Sequence, residues 1–284
     1  MEFNNLSAHI GTEVSGVDVK SLSDEDFQTL YAKWLERSVL VVRGQHLNDD
    51  ELKAFAERFG PLERRPISDS GQDEEEVKQN PYVTVISNIK KNGKRIGGLA
   101  NKEAKWHSDM TYCPVPPTAS LLYAVELPTS GGDTHFACQQ AAFDATPGEL
   151  VERLRAVEIK HDASHTSVGD LRTGFEEIDD PAAVPGAAHP PIQKHPETGR
   201  DVLYLGRRDH AYVMDCPVEE SESLLDEVWQ YAALPEHCYS HVWSLGDVVI
   251  WDNRSVLHRR DGFDDSERRM MRRCQVLGRE TAPL

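Results

Sequence analysis

Apolar positions along the first sixty residues alternate between two periods. From Ser23 to Leu35, the side chains Phe27, Leu30, Tyr31, Trp34 and Leu35 recur at the i, i+3, i+4, i+7 spacing of an amphipathic helix. Ser21 or Ser23 offers an N-cap, with acidic residues in the first turn. Ser38-Val39-Leu40-Val41-Val42 is a short, mostly β-branched run that predicts a buried strand. Asp49 to Phe59 repeats the helical period and meets a stop signal at Gly60-Pro61. Glu63 to Gln79 is polar and acidic and predicts a solvated loop. Tyr82 to Asn88 predicts a strand, and Lys90 to Lys105, basic and glycine-containing, a mobile connection. Beyond Thr118 the pattern changes to short strands, at Ala119–Val125, Asp133–Cys138, Val202–Leu205, His241–Trp243, Asp247–Trp251 and Cys274–Leu277. Helices are expected between them, at Ala141–Leu154 and Pro217–Tyr231. The sum is a mainly β protein with flanking helices, which predicts a double-stranded β-helix (jelly roll). Neither an internal repeat nor a long low-complexity tract interrupts it, so one domain is expected over residues 1–284. Thr166 to Pro191 is long, acidic and rich in Gly and Pro, as a lid over a site would be.

Composition narrows the partners. A net charge of -17 argues against nucleic acid, whose phosphates need a basic face, and against an anionic membrane surface. An anionic small molecule would need local basic residues working against that field. The five cysteines are scattered and lack any CxxC, which fits a reducing compartment better than a disulfide framework. The N-terminus has no basic segment followed by an apolar core, and a cytoplasmic address is expected.

The chemistry concentrates in Trp106-His107-Ser108-Asp109 and in the distant Trp251-Asp252-Asn253-Arg254, followed by His258. On an extended strand, residues i and i+2 point to the same side, so His107 and Asp109 can reach one ion. With His258 they make two histidines and one carboxylate, a set that leaves coordination positions open and suits non-haem Fe(II). A second spacing of the same kind, His195-Pro196-Glu197, contains proline and runs into Thr198-Gly199, which predicts a turn between strands. Gly131-Gly132-Asp133-Thr134 enters a strand. In Glu267-Arg268-Arg269-Met270-Met271-Arg272-Arg273, strand alternation puts Arg269, Met271 and Arg273 on one face, so two guanidiniums can face inward. A guanidinium grips a carboxylate through two parallel N–H bonds.

Taken together, WHSD, GGDT, WDNR, His258 and the arginine-rich strand resemble the family of taurine and 2,4-dichlorophenoxyacetate dioxygenases, which use Fe(II) and 2-oxoglutarate. The resemblance runs from Ile10-Gly11-Thr12-Glu13 to Leu277-Gly278. Its spacings are 25 residues from Asp109 to Thr134, 124 on to His258 and 11 on to Arg269. It implies that His107, Asp109 and His258 are both catalytic residues and ligands of Fe(II), and that Thr134 and Arg269 hold the distal carboxylate of 2-oxoglutarate. It further implies that Arg273 grips the anionic group of the primary substrate. O2 is the other cosubstrate, and succinate and CO2 accompany hydroxylation. Arg64-Arg65 and Ala163 depart from the taurine branch, and the local wording sits closer to the phenoxyacetate branch. A small organic acid is the expected substrate, with aryloxyalkanoates, whose hydroxylation cleaves the ether, as one such class. A sulfonate or other small anion is the alternative. A metal-binding jelly roll without turnover and a Zn(II) hydrolase on the same ligands are the competing classes. Relatives form homo-oligomers, and the same is expected here.

Overall fold

The computed structural model describes residues 1–64, 80–99 and 101–279. In chain order the strands are β1 (Glu2–Asn5), β2 (Thr12–Ser15), β3 (Val39–Val42), β4 (Thr84–Ser87), β5 (Lys90–Lys91), β6 (Lys94–Arg95), β7 (Gly98–Leu99), β8 (Ala104–His107), β9 (Ala119–Glu126) and β10 (Thr134–Cys138). They continue as β11 (Ile159–Lys160), β12 (Ala188–His189), β13 (Ile192–Lys194), β14 (Asp201–Leu203), β15 (Tyr212–Val213), β16 (Cys238–His241), β17 (Val248–Asp252), β18 (Val256–Arg260) and β19 (Met270–Val276). The α-helices are α1 (Asp24–Arg37), α2 (Asp49–Glu57), α3 (Gln139–Ala145), α4 (Gly148–Arg155) and α5 (Val218–Ala232).

Among the described residues, an eight-stranded sheet in the order β1-β2-β3-β17-β9-β19-β4-β7 faces a four-stranded sheet in the order β16-β10-β18-β8. This is the expected double-stranded β-helix. The strand at Val39–Val42 reads as a continuous apolar run because both of its faces are buried. Val39 and Val41 belong to the cluster between the sheets, with Phe136, Trp251 and Met271. Leu40 and Val42 belong to the cluster under α1 and α2, with Trp34, Phe55 and Phe59. A third cluster packs α3, α4 and α5 on the outer side of the smaller sheet, through Leu150, Leu225, Val228, Ala137 and Leu257. Helix α1 starts at an Ser23 N-cap that accepts from Asp26 N, and α2 starts with an Asn48/Glu51 capping box.

Two sequence expectations change, and two strands lie outside them. The helix expected over Ala141–Leu154 is two helices, because Thr146-Pro147 breaks it and Pro147 stands at the N-cap position of the second. The connection at Lys90–Lys105 is not a loop throughout: β5 and β6 form a hairpin, and β7 and β8 follow. The short strands β1 and β2 lie outside the expected elements: Glu2–Asn5 is nearly all exposed, and Thr12–Ser15 alternates buried and more exposed positions over only four residues. The acidic stretch after Glu63 lies, from residue 65 on, outside the described residues, and Arg65 with it. Among the described residues, no helix is long and apolar enough to cross a membrane.

Candidate active site

Strand register brings the two histidines together. His258 on β18 pairs directly with His107 on β8, and the ring centroids lie 4.1 Å apart. Asp109, two residues past His107, sits beneath both rings: its Oδ1 is 3.9 Å from His107 Nε2 and 3.8 Å from His258 Nε2. One donor atom from each of the three lies within 4.8 Å of the others, the single such cluster among the described residues. His107 Nδ1 donates to the Lys105 carbonyl at 2.7 Å, which fixes the tautomer and leaves Nε2 with a free lone pair. Burial pushes both imidazoles toward the neutral form, His258 down to about 3. Burial alone would raise the Asp109 carboxyl, but His258, Arg273 and His107 around it, with the Ser120 hydroxyl, hold it down to about 2. Two neutral imidazoles and one carboxylate are the donor set a divalent transition metal takes.

The residues around this triad explain why the motifs are longer than their ligands. Ser120 Oγ donates to Asp109 Oδ2 at 2.6 Å, leaving Oδ1 to face the histidines. Asn253, the third residue of WDNR, accepts from Asp109 N and donates to the carbonyls of Asp109 and Pro117. Ser108 Oγ donates to the Val256 carbonyl. The Asp of WDNR is structural: Asp252 is buried, paired twice with Arg254 and bonded to His195 Nε2 at 2.9 Å. His195 opens the turn between β13 and β14, as its proline-containing sequence predicts.

Above the triad a cavity of about 420 Å³ opens between the sheets, walled by Tyr82, Ile86, Leu122 and Trp251. Thr134, Arg269 and Arg273 all line it, so every candidate site residue read from the sequence meets in one chamber. Arg269 is 2% exposed, and its Nε and Nη2 have no hydrogen-bond partner. Burial and the nearby Arg260 push its guanidinium down to about 9, against the pull of Asp133. A buried cation with open donors is costly unless an anion completes it. The Thr134 hydroxyl accepts from Trp243 Nε1 at 3.0 Å, so its own proton remains to donate. Gly132 has a left-handed φ of +73°, and a Cβ there would press to 3.3 Å from Arg269 Nε. The glycine pair of GGDT thus makes room for the arginine as well as a turn. Arg273 lies 3.7 Å from Asp109 Oδ1 and donates to Gln275 Oε1 at 2.8 Å.

Sequence reading missed Arg260 and His161, which also line the chamber. Arg260 was findable, since it stands two residues beyond His258 on the same strand face and pairs with Thr134 across β10. His161 carried no sequence signal, because its neighbours come from remote segments. Arg207 and Arg208 pair with Asp162 and with Glu222 and Asp226, and so are largely spent on acids of their own.

A relative from Cupriavidus pinatubonensis, an alpha-ketoglutarate-dependent 2,4-dichlorophenoxyacetate dioxygenase, is 36% identical over 96% of this chain and 96% of its own. An (S)-phenoxypropionate/alpha-ketoglutarate-dioxygenase from Sphingobium herbicidovorans is 33% identical over 96% of this chain and 93% of its own. The crystal structure of AAD-2 in complex with Mn(II) and N-oxalylglycine superposes with a TM-score of 0.78 at 30% identity, covering 99% of each chain. Residues 2–275 match the model of the taurine catabolism dioxygenase TauD, TfdA family, and the chain belongs to that family.

Proposed function

We propose that this Fe(II)- and 2-oxoglutarate-dependent dioxygenase hydroxylates a small aryloxyalkanoate-type carboxylic acid, with His107, Asp109 and His258 holding the metal. One observation carries the reading: three donor atoms within 4.8 Å of one another share a chamber with a buried Arg269 whose Nε and Nη2 are unmatched. Fe(II) with 2-oxoglutarate supplies O2 activation, giving succinate, CO2 and one oxygen atom for a substrate C–H bond.

The chain's own part is positional. His107 and His258 present Nε2, and Asp109 presents Oδ1 while Ser120 occupies its other oxygen. The Arg269 guanidinium, with the Thr134 hydroxyl, takes the distal carboxylate of 2-oxoglutarate. Arg273, four residues on and on the same face beyond Met271, takes the carboxylate of the substrate, replacing its contact with Gln275. The apolar walls at Ile86, Leu122 and Trp251 seat an aromatic body and keep water from the reacting centre. The names of the two relatives above support an aryloxyalkanoate, as do an anion site and an apolar wall in one cavity. The segment 166–191 serves as the lid of this single domain. A cytoplasmic address and a homo-oligomeric state, which sedimentation would test, belong to the same proposal.

The test is the visible spectrum of the anaerobic Fe(II)–2-oxoglutarate complex, titrated with 2,4-dichlorophenoxyacetate. A weak charge-transfer band that the acid perturbs, followed on adding O2 by one succinate per dichlorophenol, is the expected result. Absence of the band, or hydrolytic activity with Zn(II) and no O2, would overturn the reading.

A further inference from the structure

Outside the proposed ligand set, His161 is the side chain whose hydrogen-bonding need the protein leaves most fully unmet. It is 2% exposed and lines the chamber, and neither Nδ1 nor Nε2 has a hydrogen-bond partner. Among the described residues it is the one histidine with both ring nitrogens buried and unbonded. Its buried neighbours are satisfied: His189 Nε2 meets the carbonyls of Thr111 and Cys113, and His165 bridges Asp162 and Glu177. Buried polar groups that stay unpaired are rare and costly, so one on a side chain that lines a ligand chamber implies a partner on the ligand.

The ring is also held in place. His161 N donates to the Ala187 carbonyl at 2.9 Å, the imidazole stacks on Tyr204 at 5.9 Å, and it stands edge-on to His189 at 5.3 Å. Gly206 makes room for it: a Cβ there would lie 1.9 Å from His161 Nδ1 and 2.7 Å from Thr111 Oγ1. The Gly206 carbonyl accepts from Ser108 N at 3.1 Å, so the ring is one backbone strand from the segment carrying His107 and Asp109.

The charge around it decides what it reads. The imidazole is neutral, pushed down to about 3 by burial, His189 and Arg207. Arg207 is already committed to Asp162 and to the carbonyls of His165 and Thr166. A carboxylate therefore goes to Arg273 on the larger sheet, and a neutral N–H suits an uncharged acceptor.

We propose that His161 is a specificity-determining residue that donates a hydrogen bond to an uncharged oxygen of the substrate, an ether oxygen in the aryloxyalkanoate class. This rests on reading the chamber as the substrate site.

Two acids that differ at one atom test it: phenoxyacetate, and 3-phenylpropanoate, in which a methylene replaces the ether oxygen. Their binding is measured by calorimetry on protein loaded with Mn(II) and 2-oxoglutarate without O2. Wild type should prefer phenoxyacetate by at least about tenfold, as a site built to bond an oxygen rejects an analogue lacking it. His161→Phe should bring the two acids to within about twofold, and His161→Asn, which keeps a donor, should restore part of the preference. Thermal unfolding identifies the folded variants, and weakened binding of both acids by Arg273→Ala confirms that they occupy the proposed chamber. Equal binding of the two acids by wild type, or an undiminished preference in folded His161→Phe, overturns the role of His161. If neither acid binds wild type, the substrate class fails and the inference with it, a result distinct from the loss of preference alone.

Discussion

Two buried aspartates show how a residue's neighbours divide structure from chemistry. Asp252 is answered in full: burial would raise its carboxyl, but Arg254 and His195 hold it down to about 2. Asp109 is answered only in part, by Ser120 on one oxygen and Arg273 at 3.7 Å from the other, which leaves Oδ1 for a metal. Because the folded value of Asp252 lies below the ordinary carboxylate value, its ionisation favours the folded state. That contribution is complete above about pH 4 and is lost as pH falls toward 2; its size is on the order of 2 kcal/mol. Urea unfolding of wild type and Asp252→Asn should therefore differ most near pH 7, with the gap closing between about pH 4 and pH 2. A gap independent of pH would remove the charge pair as its source. The HxD pair was legible in the sequence because its geometry is local to one strand. The role of Asp252 was not, because His195, 57 residues away, completes it.

At the scale of the element, β19 carries the most information per residue. Its alternation, continued back to Arg269 just before it, turns Arg269, Met271, Arg273 and Gln275 toward the chamber or the core between the sheets, while Arg272 reaches Asp49 on α2 and Cys274 joins the helix-side core. This was legible because a period of two needs no knowledge of the partner strands. The break between α3 and α4 was legible too, had Pro147 been given its full weight against the helical period around it. The strand β1 was not, since its four mostly exposed residues gain their order from pairing with β2, and β2 alternates buried and more exposed positions over only four residues. Two substitutions separate the faces of β19. Arg269→Lys keeps a charge but loses the planar fork, and should raise the KM for 2-oxoglutarate at least tenfold, corresponding to roughly 1.5–3 kcal/mol of charge-assisted bonding. Arg272→Ala removes a partly exposed ion pair and should change that KM less than twofold. Steady-state kinetics with varied 2-oxoglutarate checks both, and similar effects of the two would contradict the division of faces.

For the whole molecule, the acidic surface and the basic chamber pull against each other, and the covering segment sits between them. Thr166, Ser167, Leu171, Arg172 and Thr173 line the chamber from one side. No residue from 166 to 182 is buried, and single bonds tie this part down: Arg207 Nη1 donates to the Thr166 carbonyl, Arg172 N and Nε to the Ser164 and His165 carbonyls, and Lys105 N to the Ser167 carbonyl, while Lys102 pairs with Asp170 where both are half exposed and Arg172 lies over the Tyr112 ring. An exposed ion pair of that kind is worth about 0–1 kcal/mol. From Ala183 onward the same segment is anchored, with Val184 buried, Ala187 N bonded to the Tyr112 carbonyl, and β12 paired with β11. The lid proposed at 166–191 thus has a weakly held first part and a pinned last part, the arrangement that local opening requires. Hydrogen exchange should find amides of 166–182 exchanging quickly in the free protein and slowing at least several-fold with Mn(II), 2-oxoglutarate and phenoxyacetate bound. Amides of 183–189 should stay protected in both states. If 166–182 exchanges as slowly in the free protein as in the complex, the chamber is covered by a fixed wall, and substrate must enter by another face.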